Sequence, residues 1–211
     1  MQSTSGRNER GILLGCAFKG GRSDASTETL RGLSLTTESL VEHFSREWHG
    51  SNTPKVAKVI EIWRPRNAQD RFRNYRKKLE AVTSIQELRT YYGSQCICDL
   101  GVKDTAHCEW ESCGICNVIK SCFSRLAFGA RYDYGSKYGD GIYSYHNPAL
   151  ADRFATSSMS SPFRAILACD VVVDHNGLTP SRSDESINDG ERVFVRNSDA
   201  IVPSYIILYT K

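Results

Sequence analysis

The sequence predicts an α+β fold in which helices come early and the short strands of a mixed or antiparallel sheet come late. Three observations lead to it. Sustained helical spacing of apolar residues is found before about residue 82 and afterwards only in two short stretches. From Leu88 onward the chain is dominated by short runs rich in β-branched and aromatic residues. There is no internal repeat, no alternation of strands with helices, and no G-x-G-x-x-G after a strand, which disfavours a doubly wound dinucleotide fold.

Residues 1–35 are rich in Ser, Thr, Gly and Arg and read as a poorly ordered lead-in with one short strand around Ile12 to Ala17. Leu40, Val41, Phe44 and Trp48 recur at helical spacing behind a capping Thr36 or Thr37. Lys55 to Trp63 is β-branched, lies between a Gly-Ser-Asn-Thr-Pro loop and Arg-Pro, and reads as a strand. Asn67 is placed to cap a second helix with Phe72, Tyr75, Leu79 and Val82 on one face. Its other face is crowded with Arg and Lys, which reads as a solvated surface in preference to a phosphate-binding one. Strands then follow at Leu88–Ser94, Gly141–Tyr145, Arg164–Asp174, Arg192–Arg196 and Ser204–Thr210, with short helices at Cys113–Phe123 and Pro148–Ala155. Residues 36–211 thus form one predicted domain, with a cysteine-rich insert at 96–116.

Length and composition agree with this division. The chain has 211 residues, 40% of them hydrophobic and 24% charged, enough for one substantial core. A net charge of +3 is too mild to demand a nucleic acid or a membrane surface as partner. No apolar run is long enough to span a bilayer, and the apolar centre of the N-terminal segment is too short for a secretory signal. The expected location is therefore the cytosol or the nucleus.

Eight cysteines are present, and five of them (Cys96, Cys98, Cys108, Cys113 and Cys116) fall within 21 residues. Clustering of this kind without an export signal points to metal in preference to a disulfide framework. The run Cys98-x9-Cys108-x4-Cys113-x2-Cys116 suits a structural zinc closed by four thiolates, with Cys96 and His107 as alternative ligands. A set of buried reduced thiols is the plain alternative. Cys16 and Cys169 lie far from the cluster and read as core thiols.

The stretch with most chemical content is Tyr138-Gly139-Asp140-Gly141-Ile142-Tyr143, followed by Pro148-Ala149-Leu150-Ala151-Asp152-Arg153-Phe154. Its glycines permit close approach of backbone to a ligand, and Tyr143 and Phe154 are placed to sandwich a flat ring. A turn with two core aromatics explains the same residues without a ligand.

This signature resembles the nicotinamide pocket of the poly(ADP-ribose) polymerase catalytic-domain family. Asp199–Ile207 looks like the family's closing strands, and Val56-x-x-Val59-x-x-Ile62 with the helix after it is similar to its opening strand and helix. The likeness runs in order over residues 36 to 211 and is nearest to small fungal members with a cysteine-rich insert. It implies an ADP-ribosyltransferase fold, NAD as substrate, a protein acceptor, and a His-Tyr-Glu triad in which the Glu supports positive charge developing on ribose.

Carried over, the triad is incomplete. Its Tyr is Tyr143, and Phe154 supplies the second stacking ring. The His-Gly pair falls on Tyr92-Gly93, followed by Ser94, so the imidazole is replaced by a phenol. Ala151 stands where a hydroxyl is common. The Glu position falls on Arg192, with Glu191 one residue earlier, and a one-residue slip in a strand reverses the face. Glu191 serves only if a bulge at Gly190 restores the face; Asp140 is another carboxylate nearby. Trp48-His49-Gly50 spells the missing pair, but it precedes the opening strand and reads as a helix end. A zinc-containing nucleic-acid binder using the basic helix from Arg66 to Lys78 is a distant third option, set back by the mild net charge and the absence of aromatic interleaving, and two functions lead from sequence. One is an NAD-dependent ADP-ribosyltransferase adding a single unit to protein side chains; the other is a catalytically impaired binding module of the same fold.

Overall fold

The computed structural model describes residues 17–18, 36–102, 105–126, 138–157, 160–175 and 186–210. It is an α+β structure built on one antiparallel sheet. The strands are β1 (Ala17–Phe18), β2 (Lys55–Trp63), β3 (Ile85–Gly93), β4 (Ile142–Tyr145), β5 (Arg164–Asp174), β6 (Ser186–Asn188), β7 (Arg192–Val195) and β8 (Ile201–Thr210). Their order across the sheet is β1-β2-β8-β5-β3-β4-β7-β6, and every neighbouring pair of named strands is antiparallel. The helices are α1 (Thr37–Glu47), α2 (Arg66–Glu80), α3 (Gly114–Ser121) and α4 (Pro148–Ala151). Most of the predicted lead-in lies outside the described residues, as does Cys16.

Period-two alternation and the helical faces divide the apolar residues between two layers. On one face of the sheet Leu40 and Phe44 of α1, with Trp48 at its C-terminal cap, pack on Tyr91, Ile166, Ile207 and Tyr209. On the other face α3 contributes Ile115, Val118 and Ile119, which join Leu167, Val193, Ile206 and Leu208. The sheet is thus buried on both sides along β5 and β8, whose residues show little solvent exposure.

Most elements form where the sequence places them, and the differences have local causes. Thr36 caps α1, its hydroxyl accepting from the Ser39 N–H at 3.3 Å. Asn67 is not the cap of α2: the cap is Pro65, whose fixed φ and missing N–H suit a helix start, and Asn67 lies inside the first turn. Val82 falls beyond the end of α2 and is 81% exposed, so it does not belong to the buried face. Phe154 lies in the turn after α4, because the helix ends at Ala151. The three-residue β6 has too few residues to show a period. Three of the six basic side chains of α2 are paired within the chain, as Arg71–Asp199, Arg73–Asp70 and Arg76–Glu87. Among the described residues no helix is long and apolar enough to cross a membrane.

Candidate ligand slot and thiolate cluster

A break in the sheet creates the candidate site. β3 and β4 are in register only at Tyr91 and Tyr145, whereas β3 stays paired with β5 through Gly93. Beyond that pair the strands diverge and leave a slot lined by Tyr92, Gly93, Leu126, Gly141, Ile142, Tyr143, Tyr145 and Phe154. It is narrow, with about 30 Å³ open to the centre of a water molecule. Aromatic and aliphatic side chains make up most of the wall, and among the described lining residues none carries a charge.

Tyr92, Gly93, Gly141, Tyr143 and Phe154, all read from sequence as site residues, therefore meet at one place. Their neighbours set their roles. Tyr143 packs on Phe194 with ring centroids 5.0 Å apart, and its hydroxyl donates to the Gly139 carbonyl at 2.7 Å. Phe154 stacks on Tyr145 at 5.8 Å and 14°. Tyr92 meets Phe123 edge-on at 5.1 Å. Tyr145, Leu126 and Ile142 are lining residues that sequence reasoning missed. Tyr145 was within its reach, since it lies two residues after Tyr143 on one strand and so shares its face.

The glycines serve the protein's own packing. A Cβ on Gly93 would lie 1.8 Å from the Ala151 carbonyl oxygen, so its bareness lets α4 press against the end of β3. A Cβ on Gly141 would lie 2.3 Å from the Phe194 ring. Ala151 itself is fully buried. Ser94, expected to touch the cofactor, is buried with its hydroxyl 2.1 Å from where a Gly114 Cβ would sit. It supports the start of α3 and does not line the slot.

Phe154 is held by a polar clamp. Asn147 caps α4 by accepting from the Ala149 N–H at 2.9 Å and from the His49 N–H at 3.1 Å. His49 thus follows the end of α1, as expected, and lines no part of the slot. At the other end of α4 the buried Asp152 accepts from the Tyr209 hydroxyl at 2.5 Å and pairs with Arg164 at 2.9 Å. Arg164 also donates to the Asp152 and Ala155 carbonyls, satisfying the helix end. Burial, reinforced by the Asp152 carboxylate, pushes the Tyr209 hydroxyl well above its ordinary pKa.

Glu191 does not regain the face of the slot. Asp189 to Arg192 forms the tight connection between β6 and β7, with the Asp189 N–H donating to the Arg192 carbonyl at 3.1 Å. Gly190 takes φ +86° at the first central position, which only glycine adopts easily. Glu191 is the second central residue, its side chain 59% exposed, and no bulge turns it inward. Arg192 opens β7 opposite Tyr145, and Phe194 lies opposite Tyr143, so Arg192 shares the face of the two tyrosines. Burial would raise the Asp189 carboxyl, but hydrogen bonds from the Arg192 and Glu191 backbone and the Tyr138 hydroxyl hold it below its usual range. Asp140 is exposed.

The second feature lies behind the slot. The sulfurs of Cys98, Cys108, Cys113 and Cys116 all lie within 4.8 Å of one another, so the four can hold a metal ion. Cys98 is 3.9 Å from Cys113 and 3.6 Å from Cys116. A tetrahedral ion with metal–sulfur bonds of about 2.3 Å requires sulfur separations of about 3.8 Å. Asn117 orders the loop by donating to the Trp110, Glu111 and Cys113 carbonyls. Hydrogen bonds from Cys116, Cys96 and Cys98 hold the Cys113 thiol well below its ordinary pKa, while Cys96 and Cys116 are raised because they donate to it. His107 faces Glu109 at 3.6 Å.

Comparison with protein-family models gives no match for this chain, and comparison with curated proteins gives none either.

Proposed function

We propose that the chain is an NAD-binding protein of the ADP-ribosyltransferase type whose slot takes the nicotinamide ring and whose catalytic constellation is impaired. The support for this reading is a single convergence. Tyr92, Gly93, Gly141, Tyr143 and Phe154 come from three separate stretches of chain and line one narrow, uncharged, aromatic slot. Tyr143 and Phe154 offer ring faces to a flat heterocycle, and Gly93 brings backbone to the edge of the slot.

Impairment follows from charge. Cleaving the bond from nicotinamide to ribose develops positive charge on the sugar, and a carboxylate aimed there supplies on the order of 3–4 kcal/mol of stabilisation. Arg192 occupies the strand position opposite Tyr145, while the exposed Glu191 sits at the hairpin tip. There the Arg192 guanidinium pairs with Asp189 at 3.9 Å and with Glu191 at 3.7 Å, so both nearby carboxylates are engaged by it and neither is aimed at the developing charge. The other reading, transfer of one ADP-ribose to a protein side chain, rests on Glu191 lying one residue away on the same hairpin. The four-thiol cluster fits structural zinc, which would fasten the Cys98–Cys116 loop behind the slot without offering an open position for chemistry.

Equilibrium titration with NAD, run beside a long incubation assayed for free nicotinamide, separates these readings. Binding without nicotinamide release is the expected result. Release that disappears in Glu191→Gln supports the transferase reading instead, and no binding by folded, zinc-loaded protein refutes both.

A further inference from the structure

A fifth thiol stands outside the metal-binding set. Cys96 is 4% exposed, and its sulfur lies 3.9 Å from that of Cys98, yet it is not one of the four mutually close sulfurs. When those four hold an ion, Cys96 remains a free thiol beside a ligand. Cys98 itself is only partly buried.

We propose that Cys96 and Cys98 form a peroxide-sensing pair that releases the metal by closing a disulfide, an inference that rests on the reading of the four-thiol cluster as a zinc site. The Cys98 thiolate attacks a hydroperoxide oxygen: an S–O bond forms, the O–O bond breaks, and alkoxide or hydroxide leaves. Cys96 sulfur then attacks Cys98 sulfur; the S–S bond forms, the S–O bond breaks, and the departing hydroxide takes the Cys96 proton as water. Two electrons pass from the two sulfurs to the peroxide. Closing the bond requires the 3.9 Å separation to shrink to about 2.0 Å, which removes Cys98 from the metal and leaves three ligands.

The reaction would reach the slot. Cys96 is tied by its N–H to the Thr156 carbonyl at 2.8 Å and bridges Ser157, two and three residues after Phe154. Gly93 lies three residues before it. On the far side of the cluster, α3 leads to Phe123, against which Tyr92 packs, and to Leu126 of the slot wall. Losing the ion loosens both sides of this loop together.

The test is made on full-length protein with measured zinc content, treated with hydrogen peroxide and then digested with trypsin without reduction. Residues 90–103 contain Cys96 and Cys98 and no other cysteine, while 104–120 contain Cys108, Cys113 and Cys116. The expected result is loss of about one zinc per chain together with a 90–103 peptide lighter by about 2 Da. Thiol reductant plus zinc restores both. Cys96→Ser and Cys96→Ala keep the four ligands, and peroxide drives their Cys98 to irreversible sulfinic acid, so reductant does not restore zinc. Protein that never holds zinc refutes the metal reading and the pair with it. Zinc release with an unaltered 90–103 peptide, or release that reductant and zinc reverse as fully in the Cys96 variants, overturns the pair alone.

Discussion

Gly93→Ala probes the contact that shapes the slot. The new Cβ would lie 1.8 Å from the Ala151 carbonyl oxygen and 2.7 Å from its carbonyl carbon, both backbone atoms. Restoring ordinary contact requires a shift of about 1.5 Å between the end of β3 and α4. Neither side yields easily. β3 is laddered to β5 through Gly93 and Ile166, and α4 is anchored at both ends by Asn147 and by the Asp152–Tyr209–Arg164 clamp. The expected destabilisation is therefore at the upper end for overpacking, about 3 kcal/mol, or a fall in Tm of roughly 6–12 °C for a chain of this size. Thermal unfolding followed by far-UV circular dichroism measures it. Gly139→Ala is the control: Gly139 has φ +84° and nothing within 4 Å of where its Cβ would sit, so only backbone strain of about 1–2 kcal/mol is expected. A Gly93→Ala protein melting within about 2 °C of wild type, a loss of under ~1 kcal/mol, would show that α4 does not press on β3 as argued.

Three further outcomes are expected. Asp152→Ala removes the acceptor for Tyr209 and the partner of Arg164; because Arg164 keeps access to water, the loss is about 2–3 kcal/mol, below that of a fully buried pair. Urea unfolding measures this loss. Burial, only partly offset by Glu47, lowers the His43 pKa from its ordinary 6.5, so the unfolded chain binds the proton more tightly. The stability contributed by neutral His43 is complete above pH 6.5 and is lost as pH falls through the lower folded value. Urea midpoints between pH 7 and 5 should fall more steeply in wild type than in His43→Gln. Removing zinc with a chelator is expected to lower Tm by well over 10 °C, since binding energy at a structural zinc is folding energy of about 10 kcal/mol or more; an unchanged melting curve contradicts the metal assignment.

Long strands were the most legible part of the fold. Lys55–Trp63 and Arg164–Asp174 are rich in β-branched residues and bounded by turn residues, and they form with those limits. β6 was not legible, because three residues carry no period and its pairing with β7 depends on a turn. The slot residues were legible from their order along the chain. The reason for their glycines was not, since Gly93 answers to Ala151 and Gly141 to Phe194, contacts that exist only in three dimensions. The same holds for Ser94, which the sequence offers as a ligand contact and the packing of α3 turns into a support. Thiol spacing picked out Cys98, Cys108, Cys113 and Cys116, but only their arrangement in space separates Cys96 from them.

The central question is whether the slot between β3 and β4 accepts the nicotinamide end of NAD. Calorimetric titration of NAD into zinc-loaded wild type and into Tyr143→Ala, each shown to be folded, is the most direct measurement. Saturable binding to wild type is predicted, weakened up to about tenfold in the variant by loss of one stacking face worth as much as ~1.5 kcal/mol. Saturable binding of equal affinity in both proteins, or none in wild type at millimolar NAD, would contradict it.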